Sequence, residues 1–544
     1  MTQPPPRPHR PQLRWATLNL LVATYIMAAD NLTLWQRNYT LFKGDPITVA
    51  TFGAAIWALT ALILTVFGFR WLQKPVLVFV LILSAVSSYY MDTLGVIIDR
   101  DMVQNAMTTT IAESRQLITP QFLIHVALFG VLPAALVIWV RIRAQPLWRN
   151  LWTWGLMSVV FAGLFVGLTL SQYRTFAAVV REHRELQGSY QPGAPLAGAL
   201  RYGKMMLASG KVVVAPLGRD AIKGPRLAAA KKPVLTVIVA GETARAADFG
   251  LNGYGRDTTP ELAARKVIYF SDVRSCGTAT ATSLPCMFSS FGREDFSYAR
   301  GIGTENLLDV LSHAGVKVAW FENNTGDKDV AARVEKHHLN DLTDPAFCKN
   351  GECNDGIFLG FIKDFVANMQ GDSMLVLHQI GSHGPAYYLR YPPAFERFTP
   401  DCRTTEFTSC TADQIRNAYD NTILYTDHVL ARTIDYLAAQ DRAIPALIYV
   451  SDHGESLGEG GLYLHGAPYF MAPDVQTQVP MLLWMSPAFQ AALGVDAACV
   501  AARGAAQTLS HDSLFHTVLG LMNIETSARQ DRLDLIAGCR HVSG

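Results

Sequence analysis

The sequence predicts two kinds of fold in one chain: an N-terminal bundle of five transmembrane helices, then an α/β domain built on a mostly parallel sheet. Three observations predict this. Apolar runs of bilayer length are confined to the first 171 residues. From Pro233 onward, strand-like runs alternate with helix-like segments. All eight cysteines lie beyond the last apolar run. Composition agrees, since a mean hydropathy of +0.17 with 17% charged residues over 544 positions points to a membrane portion plus at least one further domain. A formal net charge of +1 argues against a nucleic-acid binder, which concentrates a large basic excess to neutralise phosphates.

Residues 1–14 are Pro-rich and basic, with Arg7, Arg10 and Arg14, and read as a cytoplasmic tail. The run from Trp15 to about Trp35 has the apolar core of a signal peptide, but no small-residue cleavage site leads into a soluble stretch, so it reads as the first membrane helix. Four further spans cover Ile47–Phe69, Pro75–Met91, Phe122–Val140 and Leu151–Leu170, the third being the shortest. Arg70, Lys74, Arg141, Arg143 and Arg149 fall on the same side as the basic N-terminus. Positive charge is retained on the cytoplasmic face, so five crossings place everything after Ser171 outside. The cysteines, six of them in three close pairs, independently indicate an oxidising compartment.

Within the membrane portion (15–171), a loop at 92–120 carries Asn105, Thr109 and Glu113 at a spacing of four, which places them on one face of a helix. The competing reading is the polar side of an interfacial helix. Residues 172–232 read as a bridge, with a charged amphipathic piece at Tyr173–Leu186 suited to a membrane surface and a Gly/Pro-rich break at Gly188–Pro195. The domain from 233 to 544 has strand-like runs at Val234–Ala240, Val267–Phe270, Val316–Phe321, Met374–Gln379, Ala446–Val450 and Val479–Met485. Several are followed by polar residues: Glu242, Asn323 with Asn324, His383, and Asp452 with His453. Ligands bind outside the carboxyl ends of strands in open α/β sheets, so these distant residues converge.

The segment SCGTATATSLPCMF, Ser275–Phe288, supplies a candidate nucleophile in Thr280. An alcohol is protonated at neutral pH and attacks only when a base or cation favours its alkoxide. Glu242, Asp452 and His453, with Thr280 facing substrate, make a plausible zinc shell. Taken singly, Glu-Thr reads as a helix cap, Asp-His-Gly as a turn, and the threonine run as a solvated loop closed by a disulfide. His383 in GSHGP and His465 in YLHGAP sit in Gly-rich loops as phosphate binders, proton donors, ligands of a second metal, or surface residues.

Five motifs in order, VAGETAR, SCGTATATSLPCMFS, GSHGPAYYLRYP, SDHGESLGE and LYLHGAP, carry a specific resemblance. Residues 233–523 resemble the alkaline phosphatase and sulfatase superfamily. The whole chain resembles the lipid A phosphoethanolamine transferases, membrane enzymes of polymyxin resistance. The resemblance implies that Thr280 carries phosphoethanolamine and that Glu242, Thr280, Asp452 and His453 bind one zinc ion. His383 and His465 would lie near the phosphate or a second zinc. Asn105, Thr109, Glu113, Thr325 and Lys328 map onto substrate-binding positions, with Thr325 standing where the family has serine and Thr108 where it has an acid. Cys276 with Cys286, Cys348 with Cys353, and Cys402 with Cys410 match family disulfides; a Cys499–Cys539 pair is a guess that the resemblance does not carry.

The same resemblance implies a monomeric, multi-pass protein of the bacterial inner membrane with its catalytic domain in the periplasm. Phosphatidylethanolamine would be the donor and lipid A phosphate the acceptor, in two steps through a phosphoethanolamine-threonine intermediate. The rivals are transfer to core heptose or another periplasmic glycan, phosphoglycerol transfer, and a catalytically silent membrane sensor or assembly factor. A sulfatase would need Cys or Ser in C/S-x-P-x-R, which Thr280-Ala-Thr-Ser-Leu does not supply.

Overall fold

The computed structural model describes residues 10–69, 71–208, 213–349 and 351–541. Arg7 and most of the N-terminal tail, and Arg70, lie outside the described residues. The chain divides into two compact units, Met1–Val103 with Ile118–Arg201, and Gln104–Leu117 with Tyr202–Gly544.

The first unit is a bundle of apolar helices. Four are long and apolar enough to cross a membrane: Pro46–Val66, Gln73–Leu94, Pro120–Trp139 and Leu147–Ser171. The first apolar helix, Trp15–Ala29, has only 15 residues. The single span expected over Trp15–Trp35 is thus broken: Asp30 and Asn31 interrupt it, and the chain restarts as Leu32–Leu41. The third span is not the shortest, for its helix has 22 residues and takes in Gln73, Lys74 and Asp92, polar ends that an apolar run does not reveal. Asp45 caps Pro46–Val66 by accepting the Thr48 N–H at 3.1 Å, with Pro46 at the first helical position. Leu18, Val22, Ile26, Ala58, Ala61, Leu77 and Leu81 form the core between helices. Polar side chains join it, with Gln73 donating to Asn19 Oδ1 and Asn19 to the Leu64 carbonyl, both at 2.8 Å. Leu147–Ser171 stays apolar on its outer face, with Trp148, Trp152 and Val159 each 71% exposed, as suits contact with lipid.

The second unit is organised by a seven-stranded sheet. In chain order its strands are β1 (Val234–Gly241), β2 (Ile268–Phe270), β3 (Lys317–Glu322), β4 (Glu335–His338), β5 (Ser373–His378), β6 (Ile444–Ser451) and β7 (Met481–Met485). The spatial order is β2-β7-β6-β1-β5-β3-β4. Pairings from β6 through β1, β5 and β3 to β4 are all parallel, and β7 alone runs antiparallel to both its neighbours. β1 (VLTVIVAG) is buried at every residue because helices cover both faces, which is why it reads as a continuous apolar run. Its register with β5 (Ala240 opposite His378) and β6 (Gly241 opposite Ser451) aligns three strand ends. The 28-residue helix Ala412–Ala439 begins with a reciprocal Thr411–Gln414 capping box. Four disulfides join Cys276–Cys286, Cys348–Cys353, Cys402–Cys410 and Cys499–Cys539.

Gln104–Leu117 does not form one helix. Arg100–Thr108 ends before Thr109 and Thr110, and Ile111–Leu117 starts anew. Asn105, Thr109 and Glu113 therefore do not share a continuous helical face. Thr109 turns its hydroxyl back on the Asn105 carbonyl at 2.8 Å, a local bond that competes with helix continuation.

Candidate active site

The ends of β1, β3, β5 and β6 bring the candidate residues together. Glu242 follows β1, Asn323 and Asn324 follow β3, Gln379 to His383 follow β5, and Asp452 and His453 follow β6. Thr280 is the first residue of the helix Thr280–Met287, whose loop is closed by Cys276–Cys286. Its Oγ1 donates to Glu242 Oε2 at 3.0 Å and lies 3.3 Å from His453 Nε2. His453 Nε2 is 3.3 Å from Glu242 Oε1 and 3.4 Å from Asp452 Oδ2. Glu242, Asp452 and His453 are all at 0% exposure.

Backbone contacts select which atoms face the centre. Asp452 Oδ1 accepts the N–H of His453 at 2.7 Å and of Thr243 at 3.2 Å, whereas Oδ2 is buried with no hydrogen-bond partner. The His453 Nδ1–H donates to the Gly454 carbonyl at 2.9 Å, which leaves Nε2 as the free lone pair. Gly381, at φ 50°, lets the β5 loop pass Glu242, since a Cβ there would lie 2.5 Å from the Glu242 carbonyl oxygen.

These residues fit a metal ion. Among the described residues, Glu242, Asp452 and His453 are the one set of His, Cys, Asp and Glu ligands whose donor atoms lie within 4.8 Å of one another. A tetrahedral ion with bonds of about 2.0 Å has ligand atoms about 3.3 Å apart, and the separations here run from 3.0 to 3.4 Å. The electrostatics favour a cation at that point. Burial alone would raise the Glu242 carboxyl, but the hydrogen bond and charge of His453, with His383 and His465, hold it well below its usual value. Burial opposes charge on His453, yet Asp452 and Glu242 push it up to about 10. Burial and Glu242 raise Asp452 to about 6. Two buried carboxylates thus hold a proton where a divalent ion would satisfy them better.

A second group lies alongside. The His465 and His453 rings are 4.5 Å apart, and those of His465 and His383 5.3 Å. His465 Nδ1 pairs with Glu455 Oε2 at 2.9 Å, and Glu455 Oε1 accepts from Tyr387 at 2.6 Å. His383 Nε2 is 3.3 Å from Glu113 Oε1. Lys328, at φ 48°, donates to the carbonyls of Thr325 at 2.7 Å and Thr108 at 3.3 Å. Burial lowers its ammonium against the pull of Glu113, Glu242 and Glu322.

Asn324, expected at the end of its strand-like run, converges here as well, together with residues that the sequence did not single out. Asn324 donates to Glu242 Oε2 at 2.8 Å, and the buried His378 lies 3.9 Å from that oxygen. His511 joins the nucleophile loop to β6, accepting the Cys276 N–H at 3.1 Å and donating to the Ser451 carbonyl at 2.9 Å. Glu455, three residues after Asp452 in SDHGES, had a motif signal. His378 had none, because it closes the apolar strand SMLVLH.

A hydroxyl nucleophile at a helix start, set among buried carboxylate and imidazole donors at the carboxyl ends of a mostly parallel sheet, defines a sulfatase-type group-transfer domain, here following apolar helices of membrane-spanning length. Comparison with known proteins agrees: the Sulfatase family model matches residues 235–524, and the Phosphoethanolamine transferase EptA/EptB model matches residues 56–207. Phosphoethanolamine transferase EptA of Escherichia coli K12 is 38% identical over 548 residues, 98% of each chain. Phosphatidylethanolamine transferase Mcr-1 of E. coli is 36% identical over 541 residues, 95% of this chain and 96% of its own. The integral membrane lipooligosaccharide phosphoethanolamine transferase A from Neisseria meningitidis superposes with a TM-score of 0.94 at 36% identity, over 98% of this chain and 100% of that one. The chain belongs to the EptA/EptB phosphoethanolamine transferase family.

Proposed function

We propose that this chain is a zinc-dependent enzyme that moves phosphoethanolamine from phosphatidylethanolamine to the phosphates of lipid A, through a covalent intermediate on Thr280, and so confers resistance to polymyxin. The observation that carries the reading is the placement of Thr280 Oγ1 within 3.3 Å of both Glu242 and His453 in a family of phosphoethanolamine transferases. Glu242, Thr280, Asp452 and His453 would hold the zinc, which supplies positive charge that favours an alkoxide and offsets charge on phosphoryl oxygens. The Thr280 hydroxyl points its proton at Glu242 Oε2, and its oxygen, at a helix N-terminus, attacks the donor phosphorus. The bond to the diacylglycerol oxygen breaks, and His465 or His383 protonates that oxygen. A lipid A phosphate oxygen then attacks the phosphothreonine, releasing Thr280. Asn105, Thr109, Glu113, Thr325, Lys328, His383 and His465 would bind the headgroups, with Glu113 suited to an ammonium. His383 and His465 would be the ligands of any second zinc.

The protein would be a monomer of the bacterial inner membrane, with a tail at 1–14, a membrane domain at 15–171, a bridge at 172–232 and a periplasmic catalytic domain at 233–544. Five crossings are supported by Trp15–Ala29 carrying core residues of the bundle. Its 15 residues reach about 22 Å, so local thinning or the flanking turns would complete the span. An odd number of crossings also puts four disulfides outside the cytoplasm.

The test is a mass spectrum of lipid A from a polymyxin-sensitive Gram-negative host expressing the chain or its Thr280→Ala variant. Added phosphoethanolamine with the parent alone is expected. Unmodified lipid A with both, at equal expression, would overturn the acceptor and point to core heptose.

A further inference from the structure

Glu113 sits on a helix of seven residues, Ile111–Leu117, far too short to hold itself together in water. Its position must come from side chains that anchor it. Gln116, three residues on and therefore on the same face, donates to Glu352 Oε2 at 2.7 Å. Arg390, 2% exposed, donates to that same oxygen at 3.0 Å, to Gln116 Oε1 at 3.4 Å, and through Nε to the carbonyl of His383 at 2.8 Å. Glu352 thus joins the segment bearing Glu113 to the loop bearing His383. Glu352 is itself held. It lies on the hairpin Cys348–Lys349/Glu352–Cys353, closed by the Cys348–Cys353 disulfide. Asn323 at the end of β3 donates to the Cys353 carbonyl at 2.8 Å, and the neighbouring Asp355 accepts the N–H groups of Ile380 and Gly381 after β5, each at 3.0 Å.

We infer that Gln116, Glu352 and Arg390 are positioning residues, a clamp that sets Glu113 opposite His383 and so fixes the donor-headgroup subsite. The inference rests on the reading that Glu113 and His383 face that headgroup. Its logic is geometric. Glu113 Oε1 approaches His383 Nε2 at 3.3 Å, and Glu113 Oε2 is buried without a hydrogen-bond partner, an acceptor left for a ligand cation. Such an unpaired carboxylate oxygen keeps its aim only if its helix is tied down elsewhere, and Gln116 and Arg390 provide the tie. The hairpin disulfide makes the fulcrum rigid, because Glu352 is next to Cys353.

The experiment uses the purified full-length enzyme with its zinc and follows diacylglycerol release from phosphatidylethanolamine in mixed micelles. Gln116→Met keeps the bulk and removes the hydrogen bonds. Its KM for phosphatidylethanolamine should rise about fivefold to tenfold, with kcat within about twofold of the parent. Zinc content and melting temperature should stay at the parent's values, as they should in Lys349→Ala on the exposed side of the same hairpin. Glu352→Gln should act in the same direction; if it melts early because Arg390 is left buried without its partner, Gln116→Met still decides. The discriminating readout is a cycle with Glu113→Gln: the effect of Gln116→Met on KM should vanish in that background. An undiminished effect there, or an unchanged KM in Gln116→Met while Glu113→Gln raises it, overturns the clamp. An unchanged KM in Glu113→Gln itself overturns the subsite reading beneath it.

Discussion

Replacing Asp452 with Asn tests the metal centre through charge rather than shape. Asn keeps an oxygen for the two backbone N–H groups that Asp452 Oδ1 accepts, at 2.7 and 3.2 Å, but turns the partnerless Oδ2 into an NH2 donor. Removing one member of a buried charged set costs about 3–5 kcal/mol, which predicts zinc binding weakened more than a hundredfold. At a fixed excess of zinc, a hundredfold loss of affinity removes up to about 2.7 kcal/mol of metal-linked stability. For a domain of this size that is a loss of about 4 °C in the zinc-dependent rise in Tm. Proton linkage gives a second signature. Without metal, His453 is raised to about 10, so between about pH 7 and 9 zinc must displace its proton, and affinity should climb about tenfold per pH unit. Asp452 is the largest influence raising His453, so the slope should flatten in Asp452→Asn. Competition with a fluorescent chelator across pH, with melting curves in zinc and in EDTA, measures both. Binding within about threefold of the parent, or a parent affinity independent of pH, would refute the assignment.

Further outcomes follow from other parts of the second unit. Burial, with the charge of His453, lowers His511 to about 4, against about 6.5 when unfolded. The unfolded chain therefore binds the extra proton first, and stability should fall as pH drops from about 6.5 to 4, by up to about 3 kcal/mol. In urea unfolding at pH 7 and 5, the zinc-free parent should lose about 2 kcal/mol more than His511→Gln, because His516, also lowered to about 4, keeps a pH dependence in both. Cys499→Ser with Cys539→Ser opens a loop of 40 residues, and should cost about 4 kcal/mol on the chain-entropy account while zinc affinity holds, as read by unfolding and chelator competition. Gly381→Ala puts a methyl against the Glu242 carbonyl at a φ of 50°, and should lower transferase activity at least tenfold and weaken zinc binding in the same preparation.

The parts of this molecule that were readable in its sequence are those where local chemistry and periodicity agree. Parallel strands buried on both faces read as apolar runs, and the polar residues that end them, Glu242, Asp452 and His453, had to converge once the sheet was parallel. β4 was invisible because an edge strand reading Glu-Lys-His-His is exposed throughout and carries no apolar signal. The break at Asp30–Asn31 went unread because the apolar count recovers on the far side, and Asn105, Thr109 and Glu113 kept their spacing of four across a helix that stops between them. Gln116, Glu352 and Arg390 are the limiting case. Their bonds span 236, 38 and 274 residues; Gln116 and Glu352 lie in no motif, and Arg390, although inside GSHGPAYYLRYP, has no spacing there that points to Glu352. A catalytic ligand must be of a certain type at a strand end, so sequence constrains it; a residue that positions another is constrained only by the distance to its partner, which the fold alone decides.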